Sequence, residues 1–232
     1  MVNYIPLITT LISAIFAIVL LWQYSHRRKI HQLIWTAALG LYSLTALMEY
    51  LGNSDVLGPS PTLIRIYYAG TGPMVGLLGA GVLYLLTSKR WRKGYLAFVL
   101  ILSVIVTLST SVAQISSVDI SEAFKMGLPQ GFREVVTGFP ATARIPTIIL
   151  NITGSIILIG GALLSFIRDR SRTYNLALAV GGILPAFGGA SIGFFNNAYI
   201  FFEFELAGTI FLFLGFILSI RHISKLEHLT KK

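Results

Sequence analysis

Long apolar runs alternate with short polar connections along the chain, and the runs set its architecture. Seven can be delimited, at 4–24, 31–51, 62–87, 95–113, 144–167, 174–198 and 200–220. Each holds about the 20 residues that a helix needs to cross a hydrocarbon core roughly 30 Å thick. They are too long and too evenly apolar for barrel strands. A backbone surrounded by lipid must satisfy its own hydrogen bonds, so the runs predict helices. The expectation is an all-α polytopic membrane protein, a seven-transmembrane-helix bundle forming one domain over 1–232. No basic residue precedes the first run, and its apolar character continues through Leu20, Leu21 and Trp22. It reads as a retained helix rather than a cleaved signal peptide.

Composition supports lipid as the solvent. Hydrophobic residues make up 55% of the 232 and charged residues 12%, about half the charge of a typical soluble domain. There is no cysteine, which excludes disulfides, thiolate catalysis and cysteine-ligated metals.

The net charge of +9 matters through its placement. Arg27, Arg28 and Lys29 follow the first run. Lys89, Arg90, Arg92 and Lys93 follow the third, and Arg168, Arg170 and Arg172 the fifth. Arg221, Lys225, Lys231 and Lys232 follow the last. Fourteen of the 18 basic residues thus share one side, leaving Arg65, Lys125, Arg133 and Arg144 on the other. Basic connections stay in the cytoplasm, so the N-terminus is expected outside and the C-terminus inside a cell membrane. This pattern accounts for the charge without nucleic acid. Most acidic residues lean to the outer side, with only Asp169 and Glu227 inside.

The longest connection, 114–143, lies outside and carries Ile120, Phe124, Met126, Leu128, Phe132, Val135, Val136 and Phe139. It is too apolar to float in water. Either a short interfacial helix or cap over the bundle mouth, or a loop resting on the lipid surface, fits it. Glycines crowd the third, fifth and sixth runs, with Gly72–Gly76 and Gly189–Gly193 four apart. Small residues let helix backbones approach, so these helices are expected at the centre of the bundle. Pro73 and Pro185 lie inside helices, where each removes a backbone hydrogen bond.

Polar residues at depth are costly in lipid and are the best functional clues. Arg144, Thr147, Asn151 and Ser155 are spaced 3, 4 and 4, on one helical face. Tyr42, Thr45 and Glu49 keep the same rhythm, as do Ser103, Thr107 and Thr110. Placed by topology, Glu49, Arg65, Tyr68, Arg144, Asn151, Asn196, Asn197, Glu203 and Glu205 are candidates for a polar vestibule in the outer half. A carboxylate near lipid seeks a cation, which makes Glu49–Arg65 the first expected pair. Glu203 and Glu205 are two apart, so at most one faces inward. The competing reading for each charge is a side chain snorkelling to the headgroups, and for Asn151 an ordinary interhelical hydrogen bond.

Several chemistries are excluded. His26, His31, His222 and His228 all sit at or beyond the basic helix ends. No bis-histidine haem site, histidine-based hydrolytic triad or metal cluster can form in the bundle, and no nucleotide-binding glycine motif follows a strand. Neither cofactor nor enzymatic activity is expected.

The topology resembles that of the microbial rhodopsins, which hold retinal through a lysine in the last helix. The final run here, Ile200 to Ile220, has no lysine, so a retinal Schiff base is excluded. A closer resemblance is to the seven-helix sensor module at the N-terminus of some prokaryotic histidine kinases. It is carried by Arg27–Arg28, by Trp35 and the Leu41, Leu44, Leu47, Glu49 series, and by Arg65, Tyr67, Tyr68 and Pro73, over residues 10–88. That resemblance implies sensing a ligand or membrane state. The short segment after the last run implies no kinase or cyclase output, so a signal would pass to a partner on the basic loops. Three functions follow. A receptor-like or partner-binding module predicts an outer cavity, open to a small ligand or lipid and closed at the cytoplasmic side. A solute or proton transporter predicts a polar path past Asn151 to the inner face. An accessory subunit of a larger membrane complex fits the same residues. The inner halves, mostly Leu, Ile, Val, Ala and Gly, favour the first.

Overall fold

A computed structural model describes residues 3–54, 56–115, 117–128, 139–195 and 198–230. Eight helices run through them: α1 (Ile5–Arg27), α2 (Ile30–Asn53), α3 (Pro61–Leu86), α4 (Lys89–Ser111), α5 (Ser117–Met126), α6 (Ala141–Arg168), α7 (Tyr174–Phe195) and α8 (Ala198–Thr230). Helices α1, α2, α3, α4, α6 and the Tyr199–Ser219 stretch of α8 are long and apolar enough to cross a membrane. The chain is therefore a multi-pass helical membrane protein. The seventh expected span falls on α7, of which the described apolar stretch is Tyr174–Gly189.

Two helix boundaries extend well beyond the expected ones. Helix α4 begins at Lys89 rather than 95, and α8 runs to Thr230 rather than 220. Hydropathy marks where lipid ends, whereas a helix continues until its hydrogen bonding is interrupted. At α4 the basic residues extend the helix by a further turn, and Arg92 lies over the Tyr84 ring at 5.2 Å. Helix α1 does stop at its basic end: Arg28 takes a left-handed conformation (φ 51°) and its N–H donates to the Tyr24 carbonyl.

Six helices close into a ring. Helix α1 packs on α2, α2 on α3, α3 on α6, α6 on α7, α7 on α8, and α8 back on α1. Helix α4 stands outside the ring against α3 and α6, and most of its large apolar side chains are exposed, as a lipid-facing helix requires. Glycine sets the tightest seam. A Cβ on Gly154 would meet the Val75 carbonyl oxygen at 2.3 Å, and one on Gly79 would meet the Gly154 Cα at 2.9 Å. The backbones of α3 and α6 touch there because neither side carries a side chain.

Of the 114–143 connection, the described residues form a buried cap. Ile120, Ala123, Phe124, Leu128 and Phe139 pack with Met48, Leu63, Ile64 and Tyr67 over the acidic ends of α2 and α3. Phe132, Val135 and Val136 lie outside the described residues.

Candidate functional site

The ring surrounds a chamber of about 800 Å³, within the roughly 300–1,000 Å³ range of small-molecule sites. Its polar wall is α6. Arg144, Thr147, Asn151 and Ser155 all line it, because steps of 3, 4 and 4 keep them on one face while Gly154 holds that helix against α3. Tyr67, Tyr68 and Thr71 of α3, Tyr42 and Thr45 of α2, and Phe201 and Glu205 of α8 continue the lining. Helix α7 contributes Gly181, Gly182, Pro185, Ala186 and Gly189.

One carboxylate, Glu205, lines this chamber, and a second, Glu49, lies behind the lining residue Tyr67. Glu49 and Glu205 are buried, 1% and 5% exposed. The Tyr67 side chain interacts with Glu49, and Glu205 lies within electrostatic reach of both. Glu49 Oε1, Glu205 Oε2 and Asn151 Oδ1 have no hydrogen-bond partner among the described residues. All three are acceptors. A buried polar atom without a partner is costly, so the interior presents acceptors to whatever donates.

The expected Glu49–Arg65 pair does not form. Arg65 precedes Tyr67 by two positions, about 200° around the helix. When Tyr67 faces the interior, Arg65 turns outward, and its Nη2 donates to the Ala113 carbonyl at the end of α4 (3.0 Å). Arg65 therefore ties α3 to α4. Glu203 is exposed and Glu205 buried, as their spacing requires. Tyr68 lines the chamber and its ring stands 4.3 Å from that of Phe139. Asn196 and Asn197 lie outside the described residues.

The Ser103, Thr107, Thr110 series does not reach the chamber. Each hydroxyl donates to the carbonyl four residues back in α4, at 2.6 to 2.9 Å. The sequence placed Glu49 and Glu205 in one vestibule but not beside each other, because these residues are 156 positions apart and only closure of the ring brings α2 and α8 together.

Below the chamber the interior is apolar. Leu39, Leu212 and Phe216 are buried with Phe16 and Leu20, and Met74 and Leu178 pack on them. Beyond this layer, toward the basic end, Gln32 Nε2 donates to Gln23 Oε1 (3.0 Å) and Asn175 Nδ2 to Ser165 Oγ (2.9 Å), while Gln32 Oε1 is buried without a partner among the described residues. Among the described residues no group of three or more His, Asp or Glu is placed to hold a metal ion. No family model matches the chain, and no curated protein or solved structure matches it.

Proposed function

We propose that this chain is a seven-helix receptor-like module of the cell membrane, with α7 as the seventh span, the basic end in the cytoplasm and the chamber open toward the outer half. The observation that carries the reading is the apolar layer around Leu39, Leu212 and Phe216. A conduit needs polar groups or water along its whole length, since lipid-like walls exclude charge. Here the polar lining ends at that layer. The chamber is therefore a pocket, and its occupancy biases how α7 and α8 sit against the other helices. A protein partner at the basic loops reads that bias.

Purified protein reconstituted in sealed vesicles tests the assignment. The pocket reading expects saturable ligand binding, with solute and proton leak equal to that of protein-free vesicles. Protein-dependent flux that falls in Glu49→Gln would establish the transporter instead.

A further inference from the structure

Among the described residues the chamber opens sideways. Helices α6 and α7 touch toward the basic end, where Gly182 sits against Leu158 and Ile159. Toward the acidic end they part. A Cβ on Gly189 would meet nothing within 4 Å, and Ala186 and Gly189 are exposed although both line the chamber. Facing them on α6, Ile148 and Ile152 also line the chamber and are 55% and 56% exposed. The two neighbouring seams are closed by tight contacts: Gly72 on Thr147 between α3 and α6, and Gly208 on Pro185 and Gly188 on Phe204 between α7 and α8. Among the described residues the gap is thus a lateral slot with apolar lips.

The slot leads from an apolar rim to the acceptors inside. Glu205 is nine-tenths buried, lines the chamber and carries an oxygen with no partner among the described residues. Asn151, on the opposite wall, does the same with Oδ1. A ligand that suits both features has a hydrocarbon chain for the slot and a donor-rich, positively charged head for the carboxylates. A primary ammonium brings three N–H donors, no acceptor and the complementary charge. A carboxylate or phosphate head brings no donor for Glu205 or Asn151 and meets repulsion at Glu205; the cation in the lining, Arg144, stands by Tyr68 and would draw such a head there instead.

From this we infer that the chamber takes an amphiphile with a cationic amino head, which enters from the lipid between α6 and α7 and docks its head at Glu205, with the charge of Glu49 behind it. The assignment rests on the pocket reading above and names its ligand class. Head and chain act at separate places, so each can be removed alone. Affinity for the head depends on the carboxylates, and entry of the chain depends on the width left at Gly189.

The test uses the full chain in nanodiscs of zwitterionic lipid and hexadecylamine bearing a nitroxide near its chain end. Binding is read as the motionally restricted fraction of the spectrum. Unlabelled hexadecylamine is expected to displace the probe at a concentration at least tenfold below that needed for hexadecanoic acid or butylamine. Glu205→Gln is expected to weaken probe binding at least tenfold, with Glu49→Gln as the second variant should the first fold poorly. Gly189→Trp fills the slot from the lipid side and is expected to slow probe capture severalfold while leaving butylamine competition unchanged. Equal displacement by hexadecanoic acid would overturn the cationic head but leave the pocket standing. Equal displacement by butylamine, or no effect of Gly189→Trp, would overturn entry from the lipid. Absence of any restricted fraction would overturn the ligand class outright, and protein-dependent flipping of the probe across vesicles would overturn the receptor reading instead.

Discussion

The Tyr42 hydroxyl donates to the main-chain carbonyl of Glu205 at 3.3 Å, bridging α2 to α8 across the ring. The same carbonyl already accepts the Thr209 hydroxyl at 2.9 Å, so it is not left bare when Tyr42 lets go. Tyr42→Phe is therefore expected to lower stability by only about 0.6 kcal/mol, the average for hydrogen bonds between membrane helices. Tyr42→Ala also empties a buried ring position at the chamber floor and is expected to cost about 3–5 kcal/mol. Unfolding of both variants in mixed micelles by a denaturing detergent separates the two terms. Equal losses would mean that the hydroxyl, and not the ring, holds the floor together.

The α3–α6 seam predicts a contrast between two glycines of α6, Gly154 and Gly160. Gly154 has no room for a methyl group, whose carbon would sit 2.3 Å from the Val75 carbonyl oxygen, whereas Gly160 has open space within 4 Å. Rigid backbone cannot give way as a side chain does. Gly154→Ala is expected to destabilise by about 1–3 kcal/mol or more through forced separation of the helices. Gly160→Ala is expected to be neutral or to stabilise by up to about 1 kcal/mol, because glycine has more freedom to lose on folding. Thermal unfolding of the two variants side by side checks the sign of each.

Glu49 is 1% exposed, and Arg65, the cation nearest to expectation, points elsewhere. A carboxylate buried without a cation opposes folding. Its amide isostere keeps an acceptor for Tyr67 and removes the charge. In protein free of amphiphile, Glu49→Gln is thus expected to unfold at the wild-type temperature or higher, by up to about 1 kcal/mol in stability. A clear fall in unfolding temperature would reveal a cationic partner for this carboxylate in the resting protein.

How far the sequence carried these features depended on whether a feature was local. The polar face of α6 was legible because a 3, 4, 4 spacing fixes which side chains share a side. The 4, 3 spacing of Ser103, Thr107 and Thr110 on α4 also defines a face, but spacing does not say what a face meets: α4 stands outside the ring with these hydroxyls bonded to its own backbone. The Glu49–Arg65 expectation failed for a related reason. Both residues do lie at the acidic end, but the rotation of α3 that brings Tyr67 inward sends Arg65 out. The apolar content of 114–143 signalled burial, and α5 with Phe124 is buried. What covers what was set by tertiary contacts that no local pattern encodes.

Because the chain contains no cysteine, any thiol introduced into it is the only one, and this makes the proposed orientation directly measurable. Trp91 is 74% exposed in the first turn of α4, and Val56 is 69% exposed between α2 and α3. The first lies among Lys89, Arg90, Arg92 and Lys93, which the rule for basic connections keeps in the cytoplasm. In intact cells a membrane-impermeant maleimide is expected to label Val56→Cys and to spare Trp91→Cys until the membrane is opened. The reverse pattern would turn the bundle over and place the chamber mouth on the cytoplasmic side.

Asp169, at the turn between α6 and α7, gives a pH test at the opposite end of the molecule. The Ser171 hydroxyl (2.6 Å) and the Ser171 N–H (3.1 Å) donate to its Oδ1, and Arg172 Nε donates to Oδ2 (2.8 Å). These bonds, the Ser171 hydroxyl foremost, hold its carboxyl below the usual carboxylate range. A depressed pKa in the folded state means that ionised Asp169 favours the folded turn. The contribution is complete above the ordinary aspartate value of about 3.9 and is lost as pH falls through the lower folded value. Asp169→Asn is therefore expected to make the turn easier to open at neutral pH, seen as faster tryptic cleavage after Arg170 and Arg172. The gap in unfolding temperature between variant and wild type should hold from pH 8 to about 5 and close only in stronger acid. A gap that closes near pH 6 would assign the effect to a histidine and take Asp169 out of the account of this turn. Since the turn joins the two helices that flank the lateral slot, the same variant also shows whether their spacing at Gly189 is fixed from the basic end: an Asp169→Asn protein that captures the amphiphile at the wild-type rate holds its slot open through the α7–α8 packing alone.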